Sequence, residues 1–387
     1  MNTMLDNPRA ALMVLSSIVE PGDADLDDLI GEAGPVGAVE ALWSGQVTER
    51  LARLSGATVA AGPDPARRAA ALQEATEACG ARVLIPGDAD WPVRLCDLYR
   101  LGEDDDPHLR PPRCLWVRGE GDLAAVCRRS VAVVGARAAS EYGKHIAGWL
   151  AADLAEAGHT VVSGGALGID RAAHQGALGR GGSTVAVLPA GVDRPYPRAN
   201  QAMFDLIVQR GLAVSEWPPG TAPARHRFLA RMRVIAALTA GVVVVEAARR
   251  SGALHTAEYA ARLGRVVMFT PGPVTSSLSE GVHRLARQHR GARLVTRAEE
   301  VIEDLTGRTD STRSQPADVT PFEALTAVEQ WLVEAMPRGF IAEDTRLAAA
   351  AGVPVDAATE ALQRLQHRGW IEQINDGRWR LRAVTGS

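Results

Sequence analysis

A chain of 387 residues, 46% hydrophobic and 23% charged, has room for two or three soluble globular domains. No apolar run is long enough to span a bilayer, the N-terminus carries no basic, apolar, cleavable leader, and Cys79, Cys96, Cys114 and Cys127 form no CxxC or metal-ligand spacing. A membrane span and a disulfide framework are therefore excluded, and a cytoplasmic protein with reduced thiols and no metal is expected. The net charge of −4 argues against a nucleic-acid protein, but its distribution does not: residues 1–110 carry 9 basic and 19 acidic side chains, residues 131–265 carry 15 and 9. Lys144 is the only lysine among 42 basic residues, a skew that reads as genome composition rather than arginine chemistry.

Residues 1–80 read as short helices over Ala10–Val19, Asp25–Ala33, Val36–Ser44, Thr48–Leu54 and Asp64–Cys79, a small helical module of protein- or DNA-contact type. Extended segments at Arg82–Ile85, Trp91-Pro92 and Cys114–Arg118 follow, interrupted by Pro, with an acidic, solvated loop at Glu103–Asp106. The stretch Ser130–Gly182 then sets the architecture. Val131–Val134 and His159–Val162 are continuous apolar runs, each followed by a Gly-bearing loop and an amphipathic helix, the mark of βαβ units and a buried parallel sheet. Further strands fall at Thr184–Leu188, Leu212–Glu216, Val242–Glu246, Val266–Thr270 and Arg293–Thr296. Helices are expected near Gln201–Gln209, from about Phe228 through Leu238, and at Ala257–Leu263. About eight strands with helices between them predict an enlarged, doubly wound, mostly parallel α/β sheet, a Rossmann-like domain over residues 81–305. A polar linker at residues 306–319 leads to residues 320–387, where three helices and a hairpin across Asp376-Gly377 make a winged-helix pattern. In its recognition helix Arg364, His367 and Arg368 are offset by Asp356 and Glu360, so DNA and a protein partner remain equal readings.

The loops after the first two strands, Gly135-Ala136-Arg137 and Ser163-Gly164-Gly165-Ala166-Leu167-Gly168, open helices and so direct free N–H groups at one sheet edge. Such glycines also serve tight turns; two loops in succession, the first with Arg137, point toward a phosphate-bearing ligand. Recognised turnover chemistry is missing. Gly135–Gly143 lacks the GxGxxG spacing, and no Walker lysine motif, HExxH or GxSxG occurs. Asp170 reads as a cap of its own helix, and neither Asp170 nor Glu216 has an evident catalytic partner. Binding rather than turnover, with no cofactor, is expected. Arg225, Arg227, Arg231 and Arg233 cluster around Phe228, with Arg227 and Arg231 on one helix face. Guanidinium groups for phosphates and a ring for a base would suit a single strand. The alternative is a core Phe228 with arginines solvating the helix.

These blocks resemble one family. Val133-Val134-Gly135-Ala136-Arg137 with Tyr142-Gly143 is similar to the GSR…YG start of the DNA-processing protein A (Smf) family. Ser163–Asp170 with Ala173-His174 resembles its SGxAxGID…AH stretch, and Tyr196-Pro197 with Asn200, Ser215–Gly220, and Glu246-Ala247 with Ser251-Gly252 follow in order, over roughly residues 84–305. The resemblance implies an extended Rossmann fold that binds single-stranded DNA without sequence preference. It also implies a homodimer that protects incoming DNA and loads the RecA recombinase during natural transformation. Carried over residue by residue, it implies a DNA site of Arg137, Arg225, Phe228, Arg231 and Arg233, with backbone from Ser163, Gly164, Gly165, Ser251 and Gly252. Departures occur at Leu229, Met232, Ala237 and His283, where the family usually has Pro, Asn, Gly and Asn. The competing reading is a nucleoside-monophosphate phosphoribohydrolase of similar fold, which would place its catalytic carboxylate at Glu258. Its PGGxGTxxE signature is reduced to one glycine here.

Overall fold

The computed structural model describes residues 7–62, 64–101, 110–307, 321–337, 341–374 and 377–382. The expected acidic loop Glu103–Asp106, Asp376 of the C-terminal turn, and the linker from residue 308 to 319 lie outside the described residues. The chain forms two compact units, Met1–Thr309 and Asp310–Ser387. Among the described residues no helix is long and apolar enough to cross a membrane.

The N-terminal helices are Pro8–Ile18, Ala24–Ser44, Glu49–Ala61 and Pro65–Ala78, and each starts on a side-chain cap, from Asn7, Asp23, Thr48 and Asp64 respectively. The two expected helices at residues 25–44 run on as one element broken at Gly34, whose φ of 71° and ψ of 168° leave helical geometry just before Pro35. Glu49–Ala61 extends beyond the expected end at Leu54, with Thr58 and Val59 among the added residues. These helices close on Val14, Leu15, Leu26, Val39 and Leu42. They are also joined to the sheet: Leu12 and Met13 pack with Val83, Cys114, Trp116 and Val192. Arg113 binds the Asp27 carboxylate at 2.6 Å and the carbonyls of Val19, Glu20 and Asp23.

Nine strands form one sheet: β1 (Ala81–Leu84), β2 (Leu115–Arg118), β3 (Ser130–Val134), β4 (Thr160–Ser163), β5 (Thr184–Leu188), β6 (Leu212–Ser215), β7 (Gly241–Val244), β8 (Val266–Phe269) and β9 (Arg293–Leu294). Their order is β1-β2-β6-β5-β4-β3-β7-β8-β9. All neighbours from β6 to β9 are parallel, and β2 and β1 add antiparallel at the β6 edge. The strands alternate between two helical layers. Ala132, Val134, Val242 and Val244 face the layer of helices Arg225–Leu238 and Ala253–Arg262. Val131, Val133 and Val243 face Glu141–Glu156 and Ile169–Gly179. At 0–4% exposure these valines are buried on both faces, which is why their runs are continuous rather than alternating. The segment after Trp91 is helical rather than extended, as Val93–Asp97 and Leu98–Leu101, because Leu95 and Leu98 turn into the core. A further short helix, Leu123–Cys127, has no counterpart among the expected elements. Strand order runs outward from β3 to β6 and then restarts on the other side with β7, so the crossovers diverge between β3 and β7. A crevice opens there at the strand C-termini.

The second unit has helices Ala327–Glu334, Asp344–Ala351 and Val355–His367 and three short antiparallel strands, β10 (Ile341–Ala342), β11 (Ile371–Gln373) and β12 (Trp379–Leu381), in the order β10-β12-β11. Strand β10 is absent from the expected pattern, and the first helix starts at Ala327. A reciprocal capping box between Thr326 and Glu329 sets that start. Leu332, Leu347, Leu362, Leu365, Ile371 and Trp379 fill the core.

Candidate nucleic-acid interface

The crevice at the β3–β7 divergence is a cleft of about 830 Å³. One wall is the helix Arg225–Leu238, which contributes Arg225, Phe228, Arg231 and Met232. Opposite lie Gly135 and Arg137 after β3, and Arg250, Ser251 and Gly252 after β7. Phe228 is the organising ring, half-buried. The Arg137 guanidinium stands over it at 4.5 Å and that of Arg231 at 5.3 Å, while Tyr196 meets it edge-on at 5.5 Å. Arg137, Arg225 and Arg250 are exposed and form no hydrogen bond or ion pair among the described residues. The cleft thus presents three uncompensated cations around an aromatic cluster.

Arg231 has another role. It is 4% exposed, and its Nη1 donates to the carbonyls of Gly164 and, at 2.9 Å, of Val187. Burial pushes its pKa down to about 10, Asp170 opposes that shift, and the group stays charged at neutral pH. Its Nε has no partner among the described residues. Arg231 is therefore the floor of the cleft, pinning the β4 and β5 ends to the helix.

Of the loop after β4 and the start of the following helix, Ala166 and Asp170 line the cleft, whereas Ser163, Gly164 and Gly165, expected there, do not. Ser163 is buried and donates to the Val133 carbonyl at 2.7 Å. A Cβ on Gly164 would stand 2.5 Å from Arg231 Nη2, and one on Gly165, at φ 70°, would stand 2.5 Å from Phe204 Cζ. These glycines make room for side chains. Nor is the loop open to phosphate, because Asp170 already fills it, accepting from the Ala166 N–H at 3.3 Å. Asp170 thereby holds the preceding loop instead of capping its own helix, whose N-cap is Gly168. Burial raises its pKa, and Arg231 with the Ala166, Ser163 and Gly135 groups pulls it back.

Arg233 also leaves the expected site. At 1% exposure it is locked to Glu216 by two bonds of 2.6 Å and donates to the Arg110 carbonyl. Arg227 and Arg231 keep the i, i+4 spacing within the helix but their side chains part: Arg227 turns to Glu20 and stacks 5.7 Å over Trp217, while Arg231 is buried. Glu258, the carboxylate of the competing hydrolase reading, is exposed, lies 3.6 Å from His255 and does not line the cleft. Among the described residues no cluster of His, Cys, Asp and Glu could hold a metal. Sequence reasoning missed Tyr196 and Arg250 as site residues. Tyr196 belongs to the matched Tyr196-Pro197 block, and Arg250 lies beside Ser251-Gly252. Of the departures, Leu229 and Met232 line the cleft, Met232 being the reason for a bare Gly252, whereas His283 binds the Gly272 carbonyl at 3.2 Å outside it.

Gly143, in the first turn of the helix that follows the β3 loop, has an equally local reason. Glu246, after β7, accepts from the Ser140 N–H at 2.9 Å and from its hydroxyl, and a Cβ on Gly143 would run into that carboxylate. The Glu246 carbonyl accepts from Ala136 at 2.7 Å. One glutamate thus ties the two loops that flank the crevice.

Comparison with known proteins places this geometry. The profile of a family described as DNA recombination-mediator protein A matches residues 82–306. A protein carrying the description DNA processing protein DprA in Mycobacterium tuberculosis is 42% identical over 385 residues, covering 99% of this chain and 97% of that one. The Smf protein of Escherichia coli is 38% identical over 312 residues, 77% of each chain. Among solved structures, DprA of Streptococcus pneumoniae superposes with a TM-score of 0.56 at 32% identity, over 74% of this chain and 93% of that one. DprA of Helicobacter pylori, a structure titled for its single-stranded DNA binding mode, gives 0.50 at 28%, over 59% and 96%. With the profile spanning more than half the chain and a relative alignable from end to end, the chain belongs to the DNA recombination-mediator protein A family, the DprA/Smf proteins.

Proposed function

We propose that this protein binds single-stranded DNA without sequence preference in the β3–β7 cleft, protects it, and loads a RecA-type recombinase onto it during natural transformation. The observation that carries the reading is the set of unpaired cations Arg137, Arg225 and Arg250 around Phe228 and Tyr196. Phosphates pair with the guanidinium groups, and a base stacks on the Arg137–Phe228 layer, an interaction available to every base. The H. pylori relative, whose title names single-stranded DNA, supports the ligand class.

In this reading the sheet is an extended Rossmann-like domain over residues 81–305, preceded by a helical module at 1–80. It is followed by a linker at 306–319 and a winged helix at 320–387. The protein works as a cytoplasmic homodimer. On the winged helix, Arg364 and Arg368 are occupied by the buried carboxylate of Glu329, at 2.9 and 3.5 Å, which favours a protein partner over duplex DNA there.

The deciding measurement is binding of fluorescent oligo-dT against a duplex of equal length across a salt series. Tight, salt-sensitive preference for the single strand is expected, and recombinase assembly on strands coated with single-strand-binding protein is the next assay. Equal binding of both, or none at low salt, rejects the reading.

A further inference from the structure

A second groove, of about 770 Å³, opens on the other side of Arg137, between the helices Glu141–Glu156 and Ile169–Gly179. Lys144 and His145 line it from one helix, Arg171 and Gln175 from the other, and Arg137 closes one end. The i, i+3 and i, i+4 spacings from Glu141 put Lys144 and His145 on one face, and Arg171 and Gln175 are likewise four apart. All of these side chains are exposed.

Arg137 and Arg171 form no ion pair among the described residues, and Lys144 meets only Glu141, at 2.7 Å across an exposed surface. Such a pair is weak and yields readily to a stronger anion. Helix packing explains part of this region: a Cβ on Gly176 would strike the Gly148 carbonyl, so the two helices touch through main chain. Packing does not call for three basic side chains and a histidine above that junction, against the single carboxylate of Glu141.

We infer that this groove carries the continuation of the same single strand, as a phosphate-binding tract without base readout; the inference rests on the single-strand reading of the cleft. Arg137 lines both cavities, so a strand leaving the Phe228 cluster passes directly from one to the other. Among the described residues no Phe, Tyr or Trp lines the groove, so it meets phosphodiester oxygens rather than stacked bases.

The test is a length series of oligo-dT, titrated over salt with the full chain and with a Lys144→Gln/Arg171→Gln double variant. The shortest oligonucleotides that the cleft retains should bind both proteins alike. With longer ones the parent should keep tightening while the variant stops. The slope of log K against log salt for the long oligonucleotides should fall by about 1.4, at about 0.7 for each phosphate that is no longer neutralised. Arg171→Glu alone, a single exposed change, should reproduce the length-selective loss. An unchanged gain with length, with an unchanged slope, overturns the tract and sends the strand elsewhere. Equal loss for short and long oligonucleotides also overturns it, since the groove cations would then act on the cleft itself. A parent protein that binds no length at all defeats the single-strand reading rather than the groove.

Discussion

At the scale of single residues, guanidinium groups of one helix and its neighbouring loops divide into exposed and buried kinds. Arg225 is exposed and unpaired among the described residues, Arg233 is buried against Glu216, and Arg231 is buried with its pKa pushed down to about 10. Burying a charge is tolerated only with a partner and filled hydrogen bonds. Arg225→Ala should therefore weaken single-strand binding for every sequence and lower the salt slope by about 0.7, with no change in thermal stability. Phe228→Ala should cost about 1–3 kcal/mol of binding if a base stacks there. A loss of stability with affinity intact would instead make the ring a packing residue. Both are read by oligo-dT titration beside a melting curve.

At the scale of elements, the helix Arg225–Leu238 lacks a side-chain cap at Ala224 and is held by the N-terminal module instead. The Glu20 carboxylate accepts from Trp217 Nε1 at 2.8 Å and from Arg227 Nε at 3.1 Å, with His226 Nε2 at 3.3 Å. Arg227, Trp217 and His226 lower its pKa against the opposing effect of burial, so the tie is ionised at neutral pH. Two effects of Glu20→Gln have opposite signs. Removing a negative charge near the cleft would tighten DNA binding, whereas loosening the helix that carries Arg225 and Phe228 would weaken it. Positioning is expected to dominate, giving weaker oligo-dT binding at every salt concentration. Tighter binding would show Glu20 to be an electrostatic brake.

At the scale of the whole molecule, acid should destabilise the sheet through His174. Its Nδ1 lies 2.8 Å from Thr184 Oγ1, and that hydroxyl donates to the Val161 carbonyl, so the imidazole is the donor. Nε2 is left without a partner among the described residues. Burial, with Arg231 nearby, pushes its pKa down to about 3. The folded value lies below the unfolded one, near 6.5, so the unfolded chain takes up the proton first and stability falls as pH drops from 6.5 toward 3. His159, also lowered by burial, adds in the same direction, and Asp170, raised by burial, opposes. From His174 alone the loss between pH 6.5 and 5 is about 2 kcal/mol. Urea titrations followed by tryptophan fluorescence should show that slope reduced in His174→Gln; an identical slope would assign the acid sensitivity elsewhere.

Much of this was legible in the amino-acid order because it depends on neighbours in the chain. Continuous runs such as Val131–Val134 and Val242–Val244 could only be buried strands, and the ordered Gly-bearing loops between them indicated the family. Arg137, Arg225 and Phe228, near strand and helix ends, come together in one cleft as their positions suggested. The fate of the remaining cations was decided in three dimensions. Arg233 meets Glu216, 17 residues earlier in sequence, and Arg231 reaches a carbonyl 67 residues away. Asp170 fills the glycine loop that the order of residues offered to a phosphate. Local order determines which segments are strand or helix, because backbone propensity and burial pattern are properties of a few adjacent residues. Which charge faces solvent and which is spent inside depends on partners brought together only by the folded sheet.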